Sequence, residues 1–364
     1  MFYQKYRPRK FSELIGQELI VKILQNFLKD VERLPQAYLF AGPKGTGKTS
    51  TARIFAKTLN CLDIDQLEPC DQCLNCQAIN QNRFMDLIEI DAASHSGVDE
   101  IRNIKDNIGF RPIQGRFKVL IIDEAHMLSQ AAGNALLKLL EEPPKHAIFI
   151  FATTEPEKIL PTILSRIQRF DFQRATLTAI IRKLELIARA EKISADEKVL
   201  ALIATESGAA FRDAEALLER IVLSLGDNEK LNGELVEKFL GKLSSEKILD
   251  FIAMIFENKS EAAIKFIQSN YENGFDLSLL TRETIKFLRE ILILKVLPSW
   301  LNQLNHHYSA EIVGRLEKIA AKIDLAKIRQ AIKVMIEAEF FSRDNLPVPT
   351  LALEIAVIDL IKTE

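Results

Sequence analysis

An apolar run, Ala37-Tyr38-Leu39-Phe40-Ala41, leads straight into Gly42-Pro43-Lys44-Gly45-Thr46-Gly47-Lys48-Thr49 and then into a helical pattern over Lys48–Leu59. Strand, G-x-x-x-x-G-K-T and helix follow one another in the order a phosphate-binding loop requires, which commits this part of the chain to an α/β fold. Glycines let backbone N–H groups curl around phosphate oxygens, and the helix N-terminus adds partial positive charge. Gly42 to Thr49 are therefore the candidate nucleotide-binding residues. Lys48 can reach β- and γ-phosphates, and the hydroxyl of Thr49 can ligate Mg²⁺. A functionless Gly-rich turn is the alternative, and the flanking strand and helix weigh against it.

A second pattern lies downstream, at Val119-Leu120-Ile121-Ile122-Asp123-Glu124. Four branched apolar residues in succession suit a central parallel strand buried on both faces. Two carboxylates at its end then lie where open α/β sheets bind ligands. Asp123 would hold the Mg²⁺ shell and Glu124 would polarise an attacking water. A strand ending in solvated acids is the plain reading; an intact phosphate loop upstream favours ATP binding and hydrolysis instead.

All four cysteines fall in one window, Cys61, Cys70, Cys73 and Cys76, spaced C-x8-C-x2-C-x2-C. Four clustered thiolates fit a structural Zn²⁺ site, with no ligand position left open for water. Four unrelated buried cysteines remain the alternative, and a redox C-x-x-C would need only two. Such an insert is expected to stand apart from the phosphate loop in function. The remaining composition narrows the setting: 48% hydrophobic with 27% charged residues is globular. No apolar run approaches the ~20 residues that span a bilayer, and the start, Met1-Phe2-Tyr3-Gln4-Lys5-Tyr6-Arg7-Pro8, lacks a signal-peptide core. No membrane association and a cytoplasmic location are the expectations. A net charge of −2 confines any nucleic-acid contact to a local patch.

Strand patterns at Ala37–Ala41, Leu87–Ile90, Lys118–Ile122, Ala147–Ala152 and Arg169–Phe172 alternate with helical patterns at Glu18–Arg33, Lys48–Leu59, Val98–Asn107 and Ser129–Glu141. That alternation predicts a parallel sheet with helices on both faces, the cysteine window being an insert (60–85) in one crossover. Beyond Arg174 strand signals stop. Short helices are expected at Thr176–Glu191, Ala195–Glu206, Phe211–Leu225 and Asn232–Leu240, with breaks at Gly208 and Gly226. Longer ones follow, including Leu277–Leu297 and Leu325–Phe341, punctuated by Pro298, Pro347 and Pro349. The expected division is 1–174, 175–242 and 243–364, with boundaries near Arg174 and Lys242.

Phosphate loop, four-cysteine insert and Asp-Glu strand are followed by Leu136-Leu137-Lys138-Leu139-Leu140-Glu141-Glu142-Pro143-Pro144, by Ala152-Thr153-Thr154, and by Ile163-Leu164-Ser165-Arg166. With these, the chain from Tyr3 to about Ala216 resembles the gamma/tau subunits of the bacterial DNA polymerase III clamp loader, which are AAA+ ATPases. The resemblance implies an AAA+ domain with a zinc insert, a small helical lid and an all-α collar for oligomerisation. It implies ATP, Mg²⁺ and Zn²⁺ as cofactors, and other clamp-loader subunits, the sliding clamp and primed DNA as partners. Thr154 then corresponds to a sensor of the γ-phosphate, with Thr153 as its neighbouring candidate. Arg166 corresponds to an arginine finger acting on an adjacent subunit's site, and Arg212, in Phe211-Arg212-Asp213-Ala214, to a second sensor on the lid. Tyr6, Arg7 and Pro8 match a segment near the adenine. Ile167 stands where the family often has cysteine after Ser-Arg. Ser94-His95-Ser96-Gly97-Val98-Asp99-Glu100-Ile101-Arg102 lies where relatives present basic residues to DNA; Arg102 and, just beyond the stretch, Lys105 remain, while His95 and Gly97 add no fixed charge. The chain's extent resembles the short gamma form, without the extension by which tau binds the polymerase.

Three other readings compete. Asp123-Glu124-Ala125-His126 spells a helicase box, but helicases of that kind need a second ATPase-like domain, and the second half reads as helical. A non-catalytic, zinc-stabilised scaffold is opposed by intact Lys48, Thr49, Asp123 and Glu124. Another AAA+ DNA-remodelling ATPase would share the same motifs. No polymerase carboxylate set is apparent, so nucleotidyl transfer would belong to the holoenzyme alone.

Overall fold

The computed structural model of the chain describes residues 1–94, 97, 101, 104, 107–208, 210–224, 230–241, 243–341 and 347–362. The helix expected over Val98–Asn107 falls largely outside them, as do His95, Arg102, Lys105, Gly226 and Lys242. The chain divides into two compact units, one of residues 1–183 and 207–216, the other of 184–206 and 217–364.

The first unit is built on five parallel strands: β1 (Ala37–Ala41), β2 (Leu87–Asp91), β3 (Lys118–Asp123), β4 (Ala147–Thr153) and β5 (Gln168–Asp171), in spatial order β2-β3-β4-β1-β5. Sequence explains the order. β1, β3 and β4 are unbroken apolar runs buried almost throughout and take the three central places. β2 and β5 carry Glu89, Gln168 and Arg169 and take the edges. Alternate residues feed opposite faces. Tyr38, Phe40, Val119, Ile121, Ile148 and Ile150 join one core. Leu39, Leu120, Ile122, Phe149 and Phe151 join the other.

Helices α1 (Phe2–Lys5), α2 (Glu18–Lys29), α3 (Lys48–Leu59), α4 (Leu74–Asn80), α5 (Gln130–Glu141) and α6 (Pro161–Leu164) belong to this unit. α2 stops four residues before the expected Arg33, because Asp30 leaves helical geometry at φ −128° and ψ 83°. A 3₁₀ turn covers Val31–Arg33 instead. Ser129, expected as the first residue of its helix, is the cap of α5, and its Oγ accepts from the N–H of Ala132 at 3.2 Å.

Helices α7 (Leu177–Ala190), α8 (Glu197–Glu206), α9 (Phe211–Leu223) and α10 (Gly233–Leu240) follow. Then come α11 (Ser245–Phe256), α12 (Ser260–Glu272), α13 (Leu277–Val296), α14 (Leu301–His307), α15 (Ala310–Lys322), α16 (Leu325–Phe341) and α17 (Leu351–Lys362). The second unit contains no strand among the described residues, as its helical periodicity foretold. Its core gathers around Phe251, Ile252, Phe287, Leu316 and Met335. Ser244, Asp276 and Ser309 cap α11, α13 and α15 through their side-chain oxygens. Among the described residues no helix is long and apolar enough to cross a membrane.

Candidate nucleotide and metal sites

The loop after β1 is shaped by positions that cannot bear a side chain. A Cβ on Gly42 would lie 2.4 Å from the carbonyl oxygen of Phe172. One on Gly45, at φ +78°, would lie 2.9 Å from the Cβ of Ala210. Thr46 Oγ1 donates to the Pro43 carbonyl at 2.9 Å and closes the loop on itself. Lys48, at the start of α3 and only 6% exposed, donates from Nζ to the carbonyls of Gly42 at 2.7 Å and Pro43 at 2.8 Å. Burial pulls its pKa below the ordinary lysine value, while Glu124 and Asp123 oppose that shift.

The end of β3 meets this loop. Thr49 Oγ1 donates to Asp123 Oδ2 at 2.7 Å, and Asp123 Oδ1 accepts the N–H of Glu124 at 3.0 Å. A hydroxyl and a carboxylate held together form the hard-oxygen donor pair that suits Mg²⁺. Glu124 sits in the left-handed region at φ +47°, a conformation that costs a non-glycine residue about 1–3 kcal/mol and turns the chain sharply out of the strand. Thr154 Oγ1 donates to Glu124 Oε2 at 3.3 Å. Thr153, fully buried, instead lies 3.0 Å from His126 Nδ1 and accepts the N–H of Glu155. His126 thus stands between two carboxylates, 3.4 Å from Glu124 and 3.3 Å from Glu155, and Lys158 completes the chain at 2.7 Å from Glu155.

Phosphate loop and strand end open on one cavity of about 540 Å³. Arg7, Pro8 and Arg212 also line it; Tyr6 does not, although its carbonyl accepts from Lys183 Nζ at 2.7 Å. The Arg212 guanidinium lies 4.9 Å over the ring of Tyr3. Arg7 donates to Ser50 Oγ at 3.2 Å, and burial followed by the Arg53 charge pushes its pKa down. Among the lining residues that belong to no motif are Arg53, Glu89, Lys183 and Glu215. Arg53 pairs with Glu89. Glu215 is buried, and burial pushes its pKa up to about 7 against the pull of Lys183, 4.0 Å away. One signal was available for this wall. Asp91 ends β2 directly beside Asp123, so the strand-end logic applied to Asp123 extends to it.

Arg166 follows α6 and is not among the residues lining this cavity. Its guanidinium donates to the Thr162 carbonyl at 2.7 Å, Ser165 Oγ at 3.0 Å and Glu141 Oε1 at 3.0 Å.

The four cysteines converge, all Sγ atoms lying within 4.8 Å of one another. Cys61 Sγ is 3.6 Å from Cys76 and 4.0 Å from Cys73, and Cys70 is 3.9 Å from Cys76. A zinc tetrahedron with Zn–S bonds near 2.3 Å has edges of about 3.8 Å, so the cluster fits that ion. Backbone N–H groups point at the sulfurs, Cys73 to Cys70 at 3.2 Å and Cys70 to Cys61 at 3.3 Å.

Comparison with known proteins places this architecture among relatives. Residues 16–176 match the family described as the DNA polymerase III delta subunit, and residues 231–364 match domain III of the DNA polymerase III gamma and tau subunits. The Bacillus subtilis DNA polymerase III subunit tau is 38% identical over 99% of this chain and 63% of its own length. The Escherichia coli subunit tau is 39% identical over 94% of the chain and 52% of its own length. The Mycobacterium tuberculosis gamma/tau subunit is 34% identical over 99% and 62%. The chain therefore spans between half and two-thirds of the length of these relatives. Among solved structures, the Thermotoga maritima RuvB Holliday junction branch migration motor superposes with a TM-score of 0.50 at 21% identity, over 69% of this chain and 80% of that one, a likeness of fold.

Proposed function

The chain belongs to the gamma/tau family of DNA polymerase III subunits, and on that premise we propose that it is an ATPase subunit of a replicative clamp loader. ATP binding would order a hetero-oligomer that opens a ring-shaped sliding clamp, and hydrolysis would release the clamp on primed DNA, in the cytoplasm. The observation that carries this reading is the grouping of Thr49, Asp123, Glu124 and Thr154 at the mouth of the loop that holds Lys48.

Each residue has a task that follows from its position. Backbone N–H groups of Gly42–Thr49 cradle the phosphates, and Lys48 offsets their charge. Mg²⁺, held by Thr49 and Asp123, would supply charge neutralisation at the phosphoryl oxygens. Glu124 polarises the attacking water, and Thr154, bonded to that carboxylate, senses the γ-phosphate. Arg212 closes the site from α9, while Arg7 and Pro8 face the adenine with Tyr6 beside them. Cys61, Cys70, Cys73 and Cys76 hold a structural Zn²⁺. The three-part division into ATPase (1–174), lid (175–242) and collar (243–364) belongs to the same reading.

Arg166 serves a neighbouring subunit, since it does not line its own cavity. The test is ATP turnover of the reconstituted complex with clamp and primed DNA. Arg166→Ala should leave nucleotide affinity of the isolated chain unchanged and lower turnover of the complex by about 10³–10⁵-fold. Co-assembly with Lys48→Ala chains should restore activity wherever an intact finger faces an intact loop. No recovery in mixtures shown to co-assemble refutes trans action.

A further inference from the structure

From sequence, the cysteine insert stands apart from the phosphate loop in function, yet its contacts lead to the wall of the nucleotide cavity. That wall is the segment from Arg7 to Ile15: Arg7, Pro8, Glu13, Leu14 and Ile15 line the cavity. The residues between them are held by the insert. Glu68 accepts the N–H of Phe11 on Oε2 at 2.7 Å and the N–H of Ser12 on Oε1 at 2.9 Å. Asp71 accepts from Lys57 Nζ at 2.5 Å and Asn80 Nδ2 at 2.8 Å, and lies 3.8 Å from the Arg9 guanidinium. Lys57 is 2% exposed and belongs to α3, the helix that begins at Lys48.

The turn that delivers Glu68 is strained. Gln66 at φ +48° and Leu67 at φ +62° are consecutive left-handed residues, and such conformations in bulky side chains persist only where surroundings over-determine them. Here the surroundings are Asp65, which exchanges both backbone bonds with Glu68, and the core containing Phe11, against which Leu67 and Leu14 pack. Glu68 and Asp71 flank Cys70, whose sulfur belongs to the four-thiol cluster. Fixing Cys70 and Cys73 on a common ion therefore fixes the two carboxylates that hold the wall.

We propose that Glu68 and Asp71 are positioning residues through which the metal-loaded insert holds the Arg7–Ile15 wall, so that zinc and nucleotide binding are thermodynamically linked. The proposal rests on the nucleotide-binding reading given above. Linkage must be reciprocal: the factor by which zinc tightens nucleotide equals the factor by which nucleotide tightens zinc.

The experiment uses the full chain, Zn²⁺ alone and a non-hydrolysable ATP analogue. Nucleotide Kd is measured with zinc loaded and stripped, and zinc Kd by competition with a chelating dye, with and without nucleotide. The expected result is a common factor of about tenfold in both directions. Glu68→Ala, which leaves all four cysteines in place, should keep one zinc per chain but weaken nucleotide and bring the factor toward one. Glu68→Gln, which keeps one acceptor oxygen, should recover part of it, and Asp71→Asn should give an intermediate loss. A factor within twofold of unity in the parent overturns the proposal, as does a Glu68→Ala chain with parental coupling. If the stripped chain does not fold, the proposal stands or falls on nucleotide Kd of the zinc-loaded Glu68→Ala and Asp71→Asn chains, and parental values overturn it. A parent that binds no nucleotide overturns the nucleotide reading, and this proposal with it.

Discussion

Buried polar side chains behave differently in the two units. In the second unit they serve their own helices: Thr281 donates to the Leu277 carbonyl, Thr284 to Leu280 and Asn270 to Phe266, each one turn back. Glu290, accepting from the indole of Trp300, reaches only to the next turn of chain. In the first unit Thr51 and Thr58 do the same, donating to the carbonyls of Gly47 and Ile54, but other polar groups, buried or half-buried, join elements distant in sequence. Asp86 accepts three backbone N–H groups from Ile113, Gln114 and Gly115, Asn60 accepts from Phe117, Lys57 reaches Asp71, and Thr49 reaches Asp123. A bond within one turn satisfies a polar atom without orienting anything else. A bond between elements costs desolvation and chain entropy, and in return fixes one element against another. The first unit needs that orientation, because its cavity is assembled from six separate stretches of chain. The second holds its helices around a large apolar core.

The largest test of this contrast is Lys48→Ala. Removing an ammonium that can make two charge-assisted bonds, each ~1.5–3 kcal/mol, should weaken ATP binding at least a hundredfold by titration calorimetry while helix content stays parental. Unchanged affinity would remove Lys48 from the site. Next comes Phe287→Ala in the core of the second unit, which should cost about 3–5 kcal/mol in denaturant unfolding. Nucleotide affinity measured well below the transition should stay within twofold of the parent. A parallel loss of affinity would break the division between an orienting and a packing unit.

Glu215→Gln should give the smallest effect and sharpen the contrast through pH. Burial raises the Glu215 pKa from 4.5 to about 7, so the folded state binds a proton more tightly than the unfolded chain does. Its favourable contribution is full below pH ~4.5 and is lost as pH rises through ~7. Relative to the variant, the parent should lose stability of order 2 kcal/mol between pH 4.5 and pH 8. A constant difference across that window would contradict the burial effect.

Much of the first unit was legible because its signals are local. Apolar runs gave β1, β3 and β4, and a glycine pattern between strand and helix gave the phosphate loop. The edge strand β5 lies one residue earlier than expected, since only Phe170 is buried and its weak pattern sets no sharp limit. Asp123 and Glu124 were legible as strand-end acids, but the left-handed turn at Glu124 was not, because glutamate carries no sign of it. Arg53, Glu89, Lys183 and Glu215 escaped for another reason. They are residue types common on any surface, and only the meeting of distant segments turns them inward. Glu68 is the same case, its partners lying 57 and 56 residues away along the chain.

The account rests most heavily on Glu124 as the group that activates water, held by Thr154 beside Asp123. The direct measurement is ATP affinity and ATP turnover of parent and Glu124→Gln chains, side by side in the assembled complex. Glutamine preserves shape and removes only the base. Affinity should stay within about threefold and turnover should fall by about 10²–10⁴. Turnover at the parental rate in the Glu124→Gln complex would contradict the account.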